Sequence, residues 1–118
     1  SKAVQFVLEE LGIEYVLVSR KKDGEKTITY AELTEEIIQN YRLVVNTTPL
    51  GMYPNIDACP DLPYSFLGEK HLCYDLIYNP EETLFLKKSK EAGAVIKNGY
   101  EMLIIQAEES WRIWNDSV

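Results

Sequence analysis

HLCYDLIYNPEETLFLKKSKEAGAVI, residues 71–96, is the stretch on which the fold turns. It opens on an apolar run over 71–77 and stops at Asn79-Pro80. It resumes with helical spacing over 82–92 and returns to a very short apolar run at 94–96. A strand, a helix and a strand in so short a span are the signature of a βαβ crossover, the connection that joins parallel strands. Neither strand alternates between apolar and polar residues, as expected of strands buried on both faces of a parallel sheet.

The same rhythm continues outward. Upstream, Leu43-Val44-Val45 reads as a strand ending in Asn46-Thr47-Thr48-Pro49. The loop after it carries Gly51 and prolines 49, 54, 60 and 63, which excludes a helix or a central strand there. Residues 30–40 place Leu33, Ile37 and Ile38 on one helical face, with Thr29 and Glu32 spaced as a capping box. Residues 20–26 are charged and hold the Asp23-Gly24 turn signal, after a short strand, EYVLVS, at 14–19. Residues 3–11 carry Val4, Val7, Leu8 and Leu11 at helical spacing before Gly12 stops the helix. Downstream, 99–114 reads as a long last helix. The order is α-β-α-β-loop-β-α-β-α without internal repeat. The expectation is one Rossmann-like α/β domain over 1–118, a mostly parallel sheet with helices on both faces.

Composition narrows the function. Hydrophobic residues make up 46% of the 118, enough for a real core. A net charge of -7 disfavours nucleic acid, whose phosphates need a basic field. No apolar run approaches the roughly 20 residues of a membrane span, and the cytosol is the compartment that fits. Cys73 lies in an apolar strand and Cys59 in a polar loop, which favours reduced thiols over a disulfide. With His71 as the single histidine, a zinc site lacks ligands, and no metal is expected.

In an open parallel sheet, ligands sit beyond the carboxyl ends of the strands. Those ends here are Ser19-Arg20-Lys21-Lys22, Asn46-Thr47-Thr48, Tyr78-Asn79 and Asn98-Gly99. Each alone is the polar loop that any strand end needs. Together, with the glycine and proline pattern, they favour a ligand. An arginine after a strand suits a 2′-phosphate, to which Arg20 could fork while Lys21 adds charge; Lys22 reads as a solvated loop residue. No G-x-G-x-x-G occurs and no strand precedes the first helix, so the glycine loop and its strand are expected upstream of Ser1. In the strand order 3-2-1-4-5-6 that strand is central, and without it two strand edges lie open in mid-sheet. Either another copy or another segment is then expected in the gap.

These motifs resemble the C-terminal, NADP-binding domain of the shikimate dehydrogenase family. The resemblance rests on Val45-Asn46-Thr47-Thr48-Pro49-Leu50-Gly51-Met52, on 74–80 (YDLIYNP) with Thr83, Phe85 and Leu86, and on Asn98-Gly99 with Met102-Leu103, Gln106-Ala107 and Trp114. Ser1-Lys2-Ala3-Val4 is similar to the tail of that family's glycine-rich loop. The resemblance implies NADP as cofactor. Ser19, Arg20 and Lys21 would meet the adenosine 2′-phosphate, although the family usually has asparagine and threonine where Ser19 and Lys21 stand. It places Asn46, Thr47 and Thr48 along the adenosine and ribose, with Met52 in the same loop. Ile77, Gly99 and Met102 fall at the nicotinamide. Tyr78 would hold the substrate carboxylate, and the Gln106 amide, seven residues after Gly99, would reach a ring hydroxyl.

The implied reaction is the reversible reduction of 3-dehydroshikimate to shikimate with NADPH, a step toward the aromatic amino acids and chorismate. Its proton-transferring lysine and aspartate belong to an N-terminal substrate domain, so no catalytic residue is expected in this chain. Asp75 reads as structural, and Lys87 and Lys88 do not replace that pair. Two other readings stand beside this one: a non-catalytic nucleotide-binding or interaction module, and a quinate-using relative.

Overall fold

The computed structural model describes residues 2–20, 27–100, 104 and 108. Helix α1 (Lys2–Glu10) ends where Gly12 turns to a φ of 68°, a left-handed conformation that glycine adopts without steric cost. The Ile13 amide then donates to the Leu8 carbonyl at 2.9 Å, closing the helix end. Strand β1 (Leu17–Ser19) follows, shorter than the expected 14–19.

Strand β2 (Thr27–Thr29) was not expected; its three residues pair in parallel with β1, with Ser19 beside Thr29. The helix expected over 30–40 is two pieces, a 3-10 turn at Tyr30–Glu32 and helix α2 (Glu35–Asn40). Leu33 and Thr34 between them are extended because Thr34 caps α2, its hydroxyl accepting from the Ile37 amide at 3.3 Å. The Thr29–Glu32 pairing is present, with the Glu32 carboxylate accepting from the Thr29 amide and hydroxyl at 3.1 Å each. It closes the 3-10 turn and not a long helix.

Strands β3 (Leu43–Asn46), β4 (Leu72–Asp75) and β5 (Val95–Lys97) form a second parallel sheet in the order β3-β4-β5. Val45 lies beside Tyr74, and Tyr74 beside Lys97. Helix α3 (Leu84–Glu91) crosses from β4 to β5, capped by Thr83 and ended by Gly93 at a φ of 100°. The long loop after β3 holds a single 3-10 turn, Tyr64–Phe66, among the described residues. Beyond β5, Tyr100, Ile104 and Glu108 are helical, and the rest of the helix expected over 99–114 lies outside the described residues.

The core sits under α3. Ile38, Leu67, Cys73, Phe85, Leu86 and Ala94 are buried together, with Tyr64, Phe66, Val44 and Ile96 packed around them. Phe85 and Leu86 are at most 1% exposed, and burial of each stabilises by about 1.5–3 kcal/mol. His71 is also buried, with Nδ1 accepting from the Gly68 amide at 3.0 Å and Nε2 facing the Ile38 carbonyl at 2.9 Å. Both ring nitrogens are thus taken up by the fold. Cys59 and Cys73 are free thiols, as the sequence suggests.

The expected sheet is therefore present in two parallel parts, with all described pairing parallel. β1 and β3 do not pair with each other. Between them lies an apolar slot of about 270 Å³, lined by Val4 and Leu8 of α1, Leu17 and Val18 of β1, and Val44 and Val45 of β3. On α1 the expected apolar face is incompletely covered, with Val7 52% and Leu11 67% exposed.

Candidate functional site

Two groups of strand ends carry the expected site residues. At the first, Ser19 closes β1 and Arg20 follows in an exposed bend. The parallel register brings Thr29, and so Tyr30, to the same end. Burial raises the Tyr30 phenol above its ordinary pKa while the nearby Arg20 charge opposes that rise, which puts the guanidinium within electrostatic reach of the ring. Tyr30 stands at the start of the helix expected over 30–40, a placement that gives no sign of its position at this strand end. The β-branched Thr27-Ile28-Thr29 ahead of it was the available signal. Lys21 lies outside the described residues.

The second group is larger, because β3, β4 and β5 are adjacent and parallel, so their carboxyl ends meet. Asn46 ends β3 and is 4% exposed. Its carbonyl Oδ1 accepts from the Thr48 amide at 3.1 Å and the Thr48 hydroxyl at 2.7 Å, and Thr48 Oγ1 accepts from the Leu50 amide at 3.2 Å. Its Nδ2 donates to Asp75 Oδ2 at 3.2 Å. The Asn46 amide is thus engaged at both ends within the protein, and what it offers a ligand is the shape of the turn that follows. Thr47 is exposed at that turn and Thr48 half-buried, and both line one end of the apolar slot.

Asp75 ends β4 with no exposure at all. Its Oδ1 accepts from the Ile77 amide at 3.0 Å and its Oδ2 from the Thr83 hydroxyl at 2.6 Å. The Thr83 oxygen in turn accepts from the Leu86 amide at 3.3 Å in the first turn of α3. Ile77 is 8% exposed, so its side chain belongs mainly to the protein interior. Gly99 donates its amide to the Ile77 carbonyl at 3.1 Å. A Cβ added at Gly99 would stand 2.0 Å from the Leu76 carbonyl oxygen, so the close backbone approach that excludes a side chain is made by the protein to itself.

The remaining described residues flank this network on the outside. Met52 is 48% exposed and Tyr78 also 48%. The amide of Tyr53, next to Met52, donates to the carbonyl of Asn79, next to Tyr78, at 3.1 Å, which ties the two loops together. Gly51 at a φ of 96° allows that loop to turn inward, where an added Cβ would be 2.9 Å from the Ala58 carbonyl oxygen and 3.5 Å from Thr83 Cβ. Met102 and Gln106 lie outside the described residues. No group of metal-binding side chains occurs among the described residues. None of their helices is long and apolar enough to cross a membrane.

Parallel strands with hydrogen-bonding groups at their carboxyl ends define the class: an α/β unit of Rossmann-like fold with a ligand edge. The comparisons with known proteins add a family. No family model matches the chain. The NADP+ shikimate dehydrogenase of Caldicellulosiruptor saccharolyticus is 33% identical over an alignment of 131 positions that takes in all of this chain and 47% of that protein. A chorismate mutase/shikimate 5-dehydrogenase fusion protein from Clostridium acetobutylicum has a solved structure that superposes with a TM-score of 0.79 at 36% identity, over 98% of this chain and 43% of that one. The Thermus thermophilus shikimate 5-dehydrogenase, solved with NADP(H) and shikimate, gives 0.76 at 30% identity, over 95% and 44%. By sequence and by fold the chain is a relative of the shikimate dehydrogenases. It spans less than half of the length of the curated relatives that it matches from end to end.

Proposed function

We propose that residues 1–118 form the NADP-binding part of an oxidoreductase that reversibly reduces 3-dehydroshikimate to shikimate with NADPH. One observation carries the reading. Asn46–Thr48, Ile77–Tyr78 and Gly99 stand at the ends of three adjacent parallel strands, in a chain that aligns along its whole length with shikimate dehydrogenases. The residues suit the cofactor: an exposed arginine at one strand end for a 2′-phosphate, and a rigid turn with an exposed threonine at another for the ribose side. When bound, the nicotinamide supplies the hydride chemistry.

In this reading Ser19, Arg20 and Lys21 hold the adenosine phosphate. Asn46, Thr47, Thr48 and Met52 shape the middle of the site, and Ile77, Gly99 and Met102 back the nicotinamide. Tyr78 and Gln106 face the substrate. The proton-transferring pair, and the rest of the substrate site, are supplied from a substrate domain outside these residues, and the protein works in the cytoplasm. The apolar slot between β1 and β3 supports one further element of the proposal, a second copy of the chain docking on the two strand edges. The test is shikimate-dependent reduction of NADP+ by the full-length gene product, with quinate as the comparison substrate. Absence of turnover with either substrate in a folded preparation overturns the reading, and a quinate preference moves it to a quinate-using relative.

A further inference from the structure

We infer that Asp75 is a positioning residue for the cofactor, acting through the turn at 46–50 and the backbone of Ile77. The inference rests on the nucleotide reading above and deepens it.

A fully buried carboxylate is costly unless each oxygen is satisfied. Asp75 meets that requirement in a particular way, because its three donors come from three different elements of the ligand edge. Asn46 ends β3, Ile77 follows β4, and Thr83 caps α3. The carboxylate is therefore the hub of a continuous chain. It runs from the Leu86 amide through the Thr83 hydroxyl, Asp75 Oδ2 and the Asn46 amide to Thr48 and the Leu50 amide. Gly51 then folds back over Thr83, the residue at which that chain enters α3.

Asp75 accepts from Asn46 Nδ2, which fixes Oδ1 toward the Thr48 amide and hydroxyl and so the start of the turn. The Ile77 amide is held by Oδ1 while its carbonyl accepts from Gly99, so the segment leading to Tyr78 is pinned from both sides. A core aspartate needed only for stability would not have to reach these two segments at once. Asp75 touches no ligand in this scheme; it sets the geometry of groups that do.

The experiment uses the full-length gene product and measures NADPH binding and steady-state kinetics on Asp75→Asn, Thr83→Val, Thr83→Ser, Asn46→Ala and the Asp75→Asn/Asn46→Ala double variant. Losing one charged hydrogen bond from the hub predicts an NADPH KM raised about tenfold with kcat nearly unchanged. Thr83→Val should raise it in the same direction, and Thr83→Ser, which keeps the donor, should restore it. The double variant should lose little beyond the larger single loss, since both act through one link. If Asp75→Asn does not yield folded protein, the Thr83→Val and Thr83→Ser pair decides the matter. A lowered unfolding midpoint with unchanged NADPH affinity in Asp75→Asn or Thr83→Val overturns the inference alone. Failure of the unsubstituted protein to bind NADPH overturns the nucleotide reading and this inference with it.

Discussion

Arg20 stands exposed at the end of β1, close enough to Tyr30 for its charge to oppose the burial of that phenol. A guanidinium forks onto a phosphate in a way that an uncharged ribose hydroxyl cannot reward. In the full-length protein, Arg20→Ala should therefore weaken NADPH by about tenfold or more and leave NADH within about twofold, measured as separate KM values. Equal losses for the two cofactors would remove the phosphate assignment. Gly99 is constrained by contact rather than by charge. The smallest side chain there would meet the Leu76 backbone at 2.0 Å, which no rotamer relieves. Gly99→Ala must push β5 and β4 apart at their ends, lowering the thermal midpoint and loosening the segment that carries Tyr78. An unchanged midpoint would mean that the Leu76 contact is slack in solution.

Elements differ in how openly the sequence declares them. The β4-α3-β5 unit was legible because its apolar runs are continuous, but its helix is shorter than the expected 82–92, since Thr83 caps it and Gly93 turns the chain after it. Phe85 lies at the centre of that unit without exposure, tilted against Tyr64 at a centroid separation of 6.3 Å. Phe85→Ala should cost about 3–5 kcal/mol in urea unfolding. A loss under about 1 kcal/mol would show that the space under α3 collapses freely. β2 is marked in the sequence only by the β-branched triplet Thr27-Ile28-Thr29: three residues beside a charged stretch give no period to count, and the strand exists because β1 offers it an edge. The break at Leu33-Thr34 was hidden for a related reason. Its apolar residues keep helical spacing across a point where the chain turns extended to let Thr34 cap α2. At the site, residue types at strand ends could be read directly. That the Asn46 amide is spent on Asp75 and Thr48 could not, since the partner lies 29 residues away.

At the scale of the whole molecule, burial sets one pH dependence. Tyr64 and Cys73 have their pKa values raised chiefly by burial, and Tyr30 likewise. The folded state holds these protons more tightly than the unfolded chain does. Their contribution is complete below the unfolded values and is lost as pH climbs through the folded ones, so stability should fall above about pH 9. Urea midpoints taken from pH 7 to 10.5 should be level at first and then decline. Tyr64→Phe should shallow the decline, at the expense of the 2.7 Å hydrogen bond that its hydroxyl donates to the Pro60 carbonyl. A level profile to pH 10.5 would rule out burial as the cause.

The slot between the two sheets is the other property of the whole. α1 roofs it with Val4 and Leu8, and the walls are β1 and β3, each with one edge that no described strand covers. A space of about 270 Å³ with such a lining repels water yet gains nothing while unfilled. A strand laid along either edge would cover apolar side chains and supply backbone partners together. The 118-residue polypeptide by itself should therefore self-associate, with a light-scattering mass that rises with concentration. Its net charge of -7 opposes the approach of a second copy, so association should strengthen as salt is raised and screening shortens the repulsion. Leu17→Lys places a charge on the slot wall and should return the mass toward one copy. If the polypeptide associates while the full-length gene product is a monomer, the slot is covered in cis in the longer protein and the second copy is displaced from the proposal. A cooperatively unfolding monomer of the 118 residues, at high concentration and high salt, would show that the two sheets close on each other without any further strand.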